Sequence, residues 1–288
     1  MLHPPSNLLI GPAGTGKTTS CVTLLAEGLW LRMLATEPSA PARVIAEAKK
    51  RGVSIDKFDW KFVSPAVPAW DSLIKSAEIV NVMTLKDIAD MRTGIAKPDG
   101  KQWIEFLKSL QNFRSDRSGT DLGDVTEWDN DCAFVIDGLT GVSTMSRNLT
   151  VGLKPNPSPG EWGVMQSNIL NLMNKLAADC KCLFVLIAHV ERETNELTGM
   201  SNITVSTLGS KLAPKLPPLF TNVIYAKRLH ASFLWSTADT GVDTKNGDLP
   251  LGDSLDPSFK PIVEAFRARL KAAEGAGTDT VIPFKPQP

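Results

Sequence analysis

Residues 11 to 18 read Gly-Pro-Ala-Gly-Thr-Gly-Lys-Thr, and no other run constrains the fold as strongly. It satisfies G-x-x-x-x-G-K-[ST], the spacing of a phosphate-binding loop. The flanks agree. Asn7 to Ile10 is a short apolar strand, and Thr18 to Trp30 reads as a helix with Val22, Leu25 and Leu29 on one face. A strand, a glycine turn and a helix N-terminus aim a row of backbone N–H groups at one point, with the helix dipole behind them. Gly11, Gly14 and Gly16 let the backbone curl around a phosphate with no Cβ in the way. The expected cradle is Gly11, Pro12, Ala13, Gly14, Thr15, Gly16, Lys17, Thr18 and Thr19. Within it, Lys17 reaches the β- and γ-phosphates of a nucleotide and the Thr18 hydroxyl ligates Mg²⁺.

The chain has 288 residues, of which 42% are hydrophobic and 22% charged, the composition of an ordinary globular protein. No apolar run approaches the roughly 18 residues needed to cross a bilayer. The phosphate-loop strand begins almost at once, so no signal peptide is expected. Cys21, Cys132, Cys180 and Cys182 match neither a disulfide framework nor a zinc site. Together these features lead to the expectation of a cytoplasmic protein. The formal net charge is zero. That argues against strong nonspecific nucleic-acid binding, although one basic face can coexist with one acidic face.

Strand and helix signals alternate, which predicts an α/β fold: a mostly parallel central sheet with helices on both faces. Expected strands are Leu31 to Ala35, Phe58 to Val63, Ala133 to Ile136, Leu183 to Ala188, and a pair at Asn222 to Ala226 and Ser232 to Trp235. Expected helices are Ala42 to Arg51, Trp70 to Val80, Leu85 to Met91, Gln102 to Phe113, Glu161 to Ala178 and Pro261 to Ala273. The helices near 65–131 read as a small insertion within a single domain covering 1–273, followed by a flexible tail, 274–288. Arg114 to Asp131 is polar and reads as an exposed loop. Gly138 to Gly160 carries four glycines and three prolines and reads as a long loop. Glu191 to Pro218 is polar and long for a compact domain, a pattern usual for functional segments.

Hydrolysis needs more than a phosphate cradle. It needs a carboxylate for the metal shell, a group that orients the attacking water, and a group that senses the terminal phosphate. Asp137 ends the apolar run Ala133 to Ile136, the Walker B pattern, and is the expected Mg²⁺ partner of Thr18. Glu37 ends the strand after the phosphate-loop helix. In a doubly wound sheet the ligand sits at the carboxyl ends of the strands, so Glu37 points into the site as a candidate general base. His189 ends another central strand, where it can hydrogen-bond a terminal phosphate.

The ordered set Gly11–Thr18, Glu37, Asp137 and His189 resembles the RecA-like ATPase family. Within it, the chain looks like the RecA-like nucleotide-binding proteins of phages, some of which assist single-strand annealing and recombination. The runs Val135 to Thr140, Ile187 to Glu193, Leu208 to Leu212 and Leu216 to Phe220 extend the resemblance over roughly residues 7 to 270. It implies a RecA-type core that binds ATP and Mg²⁺ and forms a homo-oligomer. A Lys or Arg from a neighbouring subunit would act on the γ-phosphate; Lys245 is the expected residue, with Lys227 and Arg228 as alternatives. It also implies that loops 138–160 and 191–216 touch single-stranded DNA through Arg147, Lys154, Arg192 and Lys211. Neither loop has the interleaved aromatics that stack bases. Gly138, not Glu, follows Asp137, unlike the usual AAA+ arrangement, and a helical arm before the first strand is not expected. The leading expectation is a Mg²⁺-dependent ATPase acting in phage DNA recombination, annealing or replication. The alternative is a nucleotide-gated binding or assembly protein with little hydrolysis, and a small-molecule kinase ranks third.

Overall fold

The structure, a computed structural model, describes residues 2–89, 99–152, 156–194 and 201–276. Strand β1 (Ser6–Ile10) leads through two short helices, α1 (Lys17–Ser20) and α2 (Val22–Ala26), to β2 (Trp30–Ala35). Then come α3 (Ala40–Arg51) and β3 (Phe58–Phe62). Helices α4 (Trp70–Asn81), α5 (Leu85–Ala89) and α6 (Lys101–Gln111) lie between β3 and β4 (Cys132–Asp137). Helices α7 (Leu139–Thr150) and α8 (Pro159–Asp179) precede β5 (Leu183–Ala188). A hairpin, β6 (Val190–Thr194) and β7 (Ser201–Val205), precedes β8 (Asn222–Leu229), β9 (Ser232–Ser236), β10 (Lys245–Asn246) and α9 (Lys260–Ala276).

The central sheet runs β10-β8-β1-β5-β4-β2-β3, with β9 also on β8. From β3 to β8 every neighbouring pair is parallel, while β9 and β10 are antiparallel to β8. The sheet is covered on both faces, so its inner strands need not alternate polar and apolar residues. Every residue of β4 and β5 is buried. Leu9, Met33, Val135 and Val185 face α2, α3 and α9, where Val22, Val44 and Ile262 meet them. Their neighbours Leu8, Leu34, Phe134 and Phe184 face the other way, onto Phe106, Val142, Ile169 and Met173 of α6, α7 and α8.

Two devices tie the layers together. On the α6–α8 face, Phe113, Trp128, Phe134, Phe184 and Phe220 form a row with successive ring centroids 5.2, 5.5, 5.7 and 6.0 Å apart. At the amino end of the sheet, Asn7 and Asn222 are wholly buried. Asn222 donates to Asn7 at 2.8 Å and to Asp248 at 3.3 Å, and Asp248 pairs with Arg269 of α9. Polar side chains this deep persist because each finds a partner.

Several expected boundaries move. The segment expected as a 138–160 loop contains α7, because Leu139, Val142, Met145 and Ser146 recur on one face and bury against the sheet and α8. Its Gly, Ser and Thr residues lower intrinsic helix propensity, and packing overrides that. The 114–131 segment is not simply exposed. Asp116 N–H donates to Trp60 O at 2.7 Å, and the Asp116 carboxylate accepts from Phe62 N–H at 2.8 Å, so this segment covers the open edge of β3. The 191–216 segment begins as the β6–β7 ladder and ends in a 3-10 turn at Ala213–Lys215. The helix after the phosphate loop is interrupted at Cys21 and ends by Gly28, whose φ is 80°. Lys154, residues 195–200 and the tail from 277 lie outside the described residues. Among the described residues no helix is long and apolar enough to cross a membrane.

Phe184 stands mid-row with two aromatic neighbours. Phe184→Ala is expected to lower the urea-unfolding free energy by about 3–5 kcal/mol with an unchanged m-value.

Candidate functional site

The loop after β1 follows a path that only small residues permit. A Cβ on Gly11 would lie 2.3 Å from the carbonyl oxygen of Ala226 in the adjacent β8. Gly16, at φ 79°, caps α1 and has its Cα against the ring of Phe233. The Lys17 ammonium folds back over the loop and donates to the carbonyls of Gly11 and Pro12, both at 2.7 Å. Only 6% of Lys17 is exposed. Burial pulls its pKa down to about 8, against the opposing pull of Asp137 and Glu37.

Strand β5 separates β1 from β4, so the axes of β1 and β4 are roughly 9–10 Å apart. Helix α1 closes that gap. Its Thr18 hydroxyl donates to Asp137 Oδ2 at 2.7 Å. Asp137 is 5% exposed. Burial raises its pKa, the Thr18 hydrogen bond opposes this, and the nearby Glu37 charge adds to the rise.

Glu37 follows β2 by two residues and sits at the mouth of the site. Its Oε1 is 3.8 Å from His189 Nε2, and its Oε2 is 3.9 Å from an Arg43 guanidinium nitrogen. These are electrostatic neighbours, too distant for hydrogen bonds. Thr36 holds Glu37 in place. Its N–H donates to Asp137 O at 2.6 Å, its hydroxyl donates to Gly138 O at 3.0 Å, and the same oxygen accepts from Gly138 N–H at 3.1 Å. Gly141 passes so close that a Cβ there would lie 2.4 Å from the Thr36 side chain. The segments after β2 and β4 are thereby joined, and the two carboxylates face one cleft.

That cleft holds about 450 Å³ and is lined by residues 13–19, Glu37, Arg43, Glu47, Asp137, His189 and Phe233. It offers backbone donors and one ammonium to an anion. It also offers a hydroxyl and a carboxylate to a hard cation. Mg²⁺ usually takes one or two carboxylates plus substrate phosphates and water rather than an all-protein cage. Thr18 and Asp137 together present one hydroxyl and one carboxylate, a donor set of that kind.

The structure brings Lys17, Thr18, Glu37, Asp137 and His189 together. It does not bring Lys245. Strand β10 folds back antiparallel on the amino end of β8, where Lys245 pairs with Val223 and its ammonium donates to Phe220 O at 2.8 Å. The phosphate loop lies at the other end of β8, beside Ala226. Within one chain Lys245 is therefore remote from the loop, so any action on a terminal phosphate is left to a neighbouring subunit, as the resemblance has it. Lys227 is nearer but is ion-paired with Asp239 and Asp253. Arg228 Nε donates to His230 O. Of the expected DNA contacts, Arg147 lies on α7, Arg192 is exposed on β6, and Lys211 is exposed before the 3-10 turn.

Thr36, Arg43 and Phe233 escaped the sequence reading. Arg43 had a local signal, since it and Glu47 share a face of α3 four residues apart, just after Glu37. Thr36 and Phe233 had none, because their partners are distant in the chain. No protein-family model matches this chain, and a search of curated proteins finds no match.

Lys17 also gives a pH signature. Its folded pKa of about 8 lies below its ordinary 10.5, so between these values the unfolded chain binds more protons. The cost of burying the ammonium is full below pH 8 and gone above 10.5. The stability of the native chain relative to Lys17→Met is expected to rise by up to about 3 kcal/mol across that window, read by urea unfolding.

Proposed function

We propose that this chain is a Mg²⁺-dependent ATPase of RecA type, serving DNA recombination, annealing or replication of a phage with single-stranded DNA as partner. One observation carries the reading: the Thr18–Asp137 hydrogen bond sets a metal-binding pair beside a buried lysine, with Glu37 at the same mouth. Incoming phosphate oxygens would take Lys17 from the two loop carbonyls and satisfy the loop N–H groups. Thr18 and Asp137 would hold Mg²⁺, which supplies charge neutralisation on the phosphates. Glu37 would accept the proton of the attacking water. His189 stands beside Glu37, and the β6–β7 hairpin begins one residue later. Its backbone carbonyl accepts from Ser206 N–H just after β7, so a shift at His189 reaches both ends of the hairpin.

Two surfaces support the expected partners. A shallow groove of about 710 Å³ along α6 is lined by Lys61, Lys101, Lys108 and Arg114 with Glu105; Lys61 is already paired with Asp116 at 2.9 Å, which leaves Lys101, Lys108 and Arg114 to suit a polyanion. It fits DNA better than the β6–β7 hairpin does, where Glu191 and Glu193 flank Arg192. For a homo-oligomer, α4 has no buried residue and exposes Trp70, Leu73, Ile74 and Ile79. Apolar patches of this kind mark association surfaces.

A second reading is a nucleotide-gated assembly protein that hydrolyses slowly. It is favoured by the placement of Glu37 between two cationic or basic neighbours and by Gly138 after Asp137. Turnover assays separate the two. The enzyme reading expects Glu37→Gln to lower kcat by about 10²–10⁴-fold while binding of a non-hydrolysable ATP analogue survives. Lys17→Ala should abolish that binding. Native protein that binds ATP yet shows no turnover, with or without single-stranded DNA, establishes the gated reading instead. For DNA, log affinity should fall linearly with log salt, and Lys101→Glu with Lys108→Glu should weaken binding; a flat salt response removes the DNA partner.

A further inference from the structure

We infer that two copies of this chain pair through α4, helix against helix and antiparallel, across a twofold axis. This rests on the homo-oligomer of the proposed function and names the surface and symmetry of the association. It does not depend on what the cleft binds.

Helix α4 has 12 residues, and none of them is buried. Its N-cap residue, Ala69, supplies no side-chain hydrogen bond. A helix of this length is marginal in water, and most are held by the packing of an apolar face. The described residues give α4 no such burial, yet its sequence carries the face. Trp70, Leu73, Ala77 and Val80 follow the a, d, a, d spacing of a two-stranded seam, with Ile74 beside them. Asp71, Lys75 and Glu78 fall outside the seam, so pairing along it buries no charge.

Side-chain size sets the direction of pairing. In an antiparallel pair centred between Leu73 and Ala77, Trp70 meets the other copy's Val80, and Leu73 meets the other copy's Ala77. Each layer then sets a large side chain against a smaller one, which fills space evenly. In a parallel pair Trp70 meets Trp70 and Ala77 meets Ala77, which crowds one layer and empties another. The seam is therefore complementary to itself, as a twofold interface requires.

The exposed area is sufficient. Trp70, Leu73, Ile74 and Val80 are 80, 43, 53 and 38% exposed, and Val82 and Leu85, just beyond the helix, are 80 and 88% exposed. Scaled from roughly 150–250 Å² for a large apolar side chain, these six present about 700 Å², against about 600–1,000 Å² per partner in a standard interface. The formal net charge of zero means that two copies meet without overall repulsion. No residue of α4 lines the cleft, so the pair needs no nucleotide to form.

The test is sedimentation equilibrium of the full chain without nucleotide, at concentrations up to about 100 μM. The native chain should be dimeric. Leu73→Glu with Val80→Glu should weaken pairing by at least about 100-fold, because the pair would then bury unpaired carboxylates. Should that variant fail to fold, thiol cross-linking under a mild oxidant decides. The native cysteines are buried and stay out of the reaction. Leu73→Cys mixed with Ala77→Cys should give a disulfide-linked pair of unlike chains, while neither variant alone should link to itself. Self-linking of Ala77→Cys, or no linking in the mixture, overturns the inference. A native oligomer that the double Glu change leaves intact also overturns it, and leaves the homo-oligomer reading standing on another face. A native chain that stays monomeric overturns both.

Discussion

The hydrogen bond between Thr18 and Asp137 joins two parts of the sheet that pairing alone would leave apart. Asp137 is a buried acid at the end of an apolar strand, and Lys17 is a buried base at the start of a helix. Neither is comfortable there. Desolvation disfavours both charged forms, and each is partly stabilised by the other's field and by hydrogen bonds from its own surroundings. The remaining imbalance is what a polyphosphate with its cation would relieve.

The rest of the molecule holds that arrangement steady. Parallel pairing puts the carboxyl ends of β1, β2, β4, β5 and β8 along one rim, and the connections leave the sheet on both faces. Thr36 fastens the segment after β2 to the segment after β4, and Gly141 leaves room for it. The opposite rim is fastened by Asn7, Asn222 and Asp248, far from the cleft. One end of the sheet is thus tied by a buried polar network, and the other opens into the cleft. Phe233 carries the lining of the cleft past β1 to the β8–β9 side.

Much of the site was legible because its residues are local signals. The phosphate loop is eight consecutive residues, and Glu37, Asp137 and His189 each stand just after an apolar strand. Parallel strands bring such positions to one rim, so reading the strands nearly suffices to collect the residues. What escaped was set by packing. Helix α7 looked like a loop because its Gly, Ser and Thr residues argue against a helix, and only burial on α8 and the sheet decides otherwise. The 114–131 segment looked free because the edge it covers, β3, lies more than fifty residues away in the chain.

The linear order of residues by itself determined the glycine-rich loop after β1 and the α/β alternation, because both rest on backbone conformation and hydrophobic period over short spans. Only the tertiary structure decided which side chains share the cleft. It turned Lys245 toward the far end of β8, brought Arg43 to the mouth, and laid Phe233 on Gly16. The physical reason is strand order. The chain places β9 more than two hundred residues after the phosphate loop, and hydrogen bonding through β8 puts its aromatic ring against the loop. No local propensity encodes a neighbour that distant.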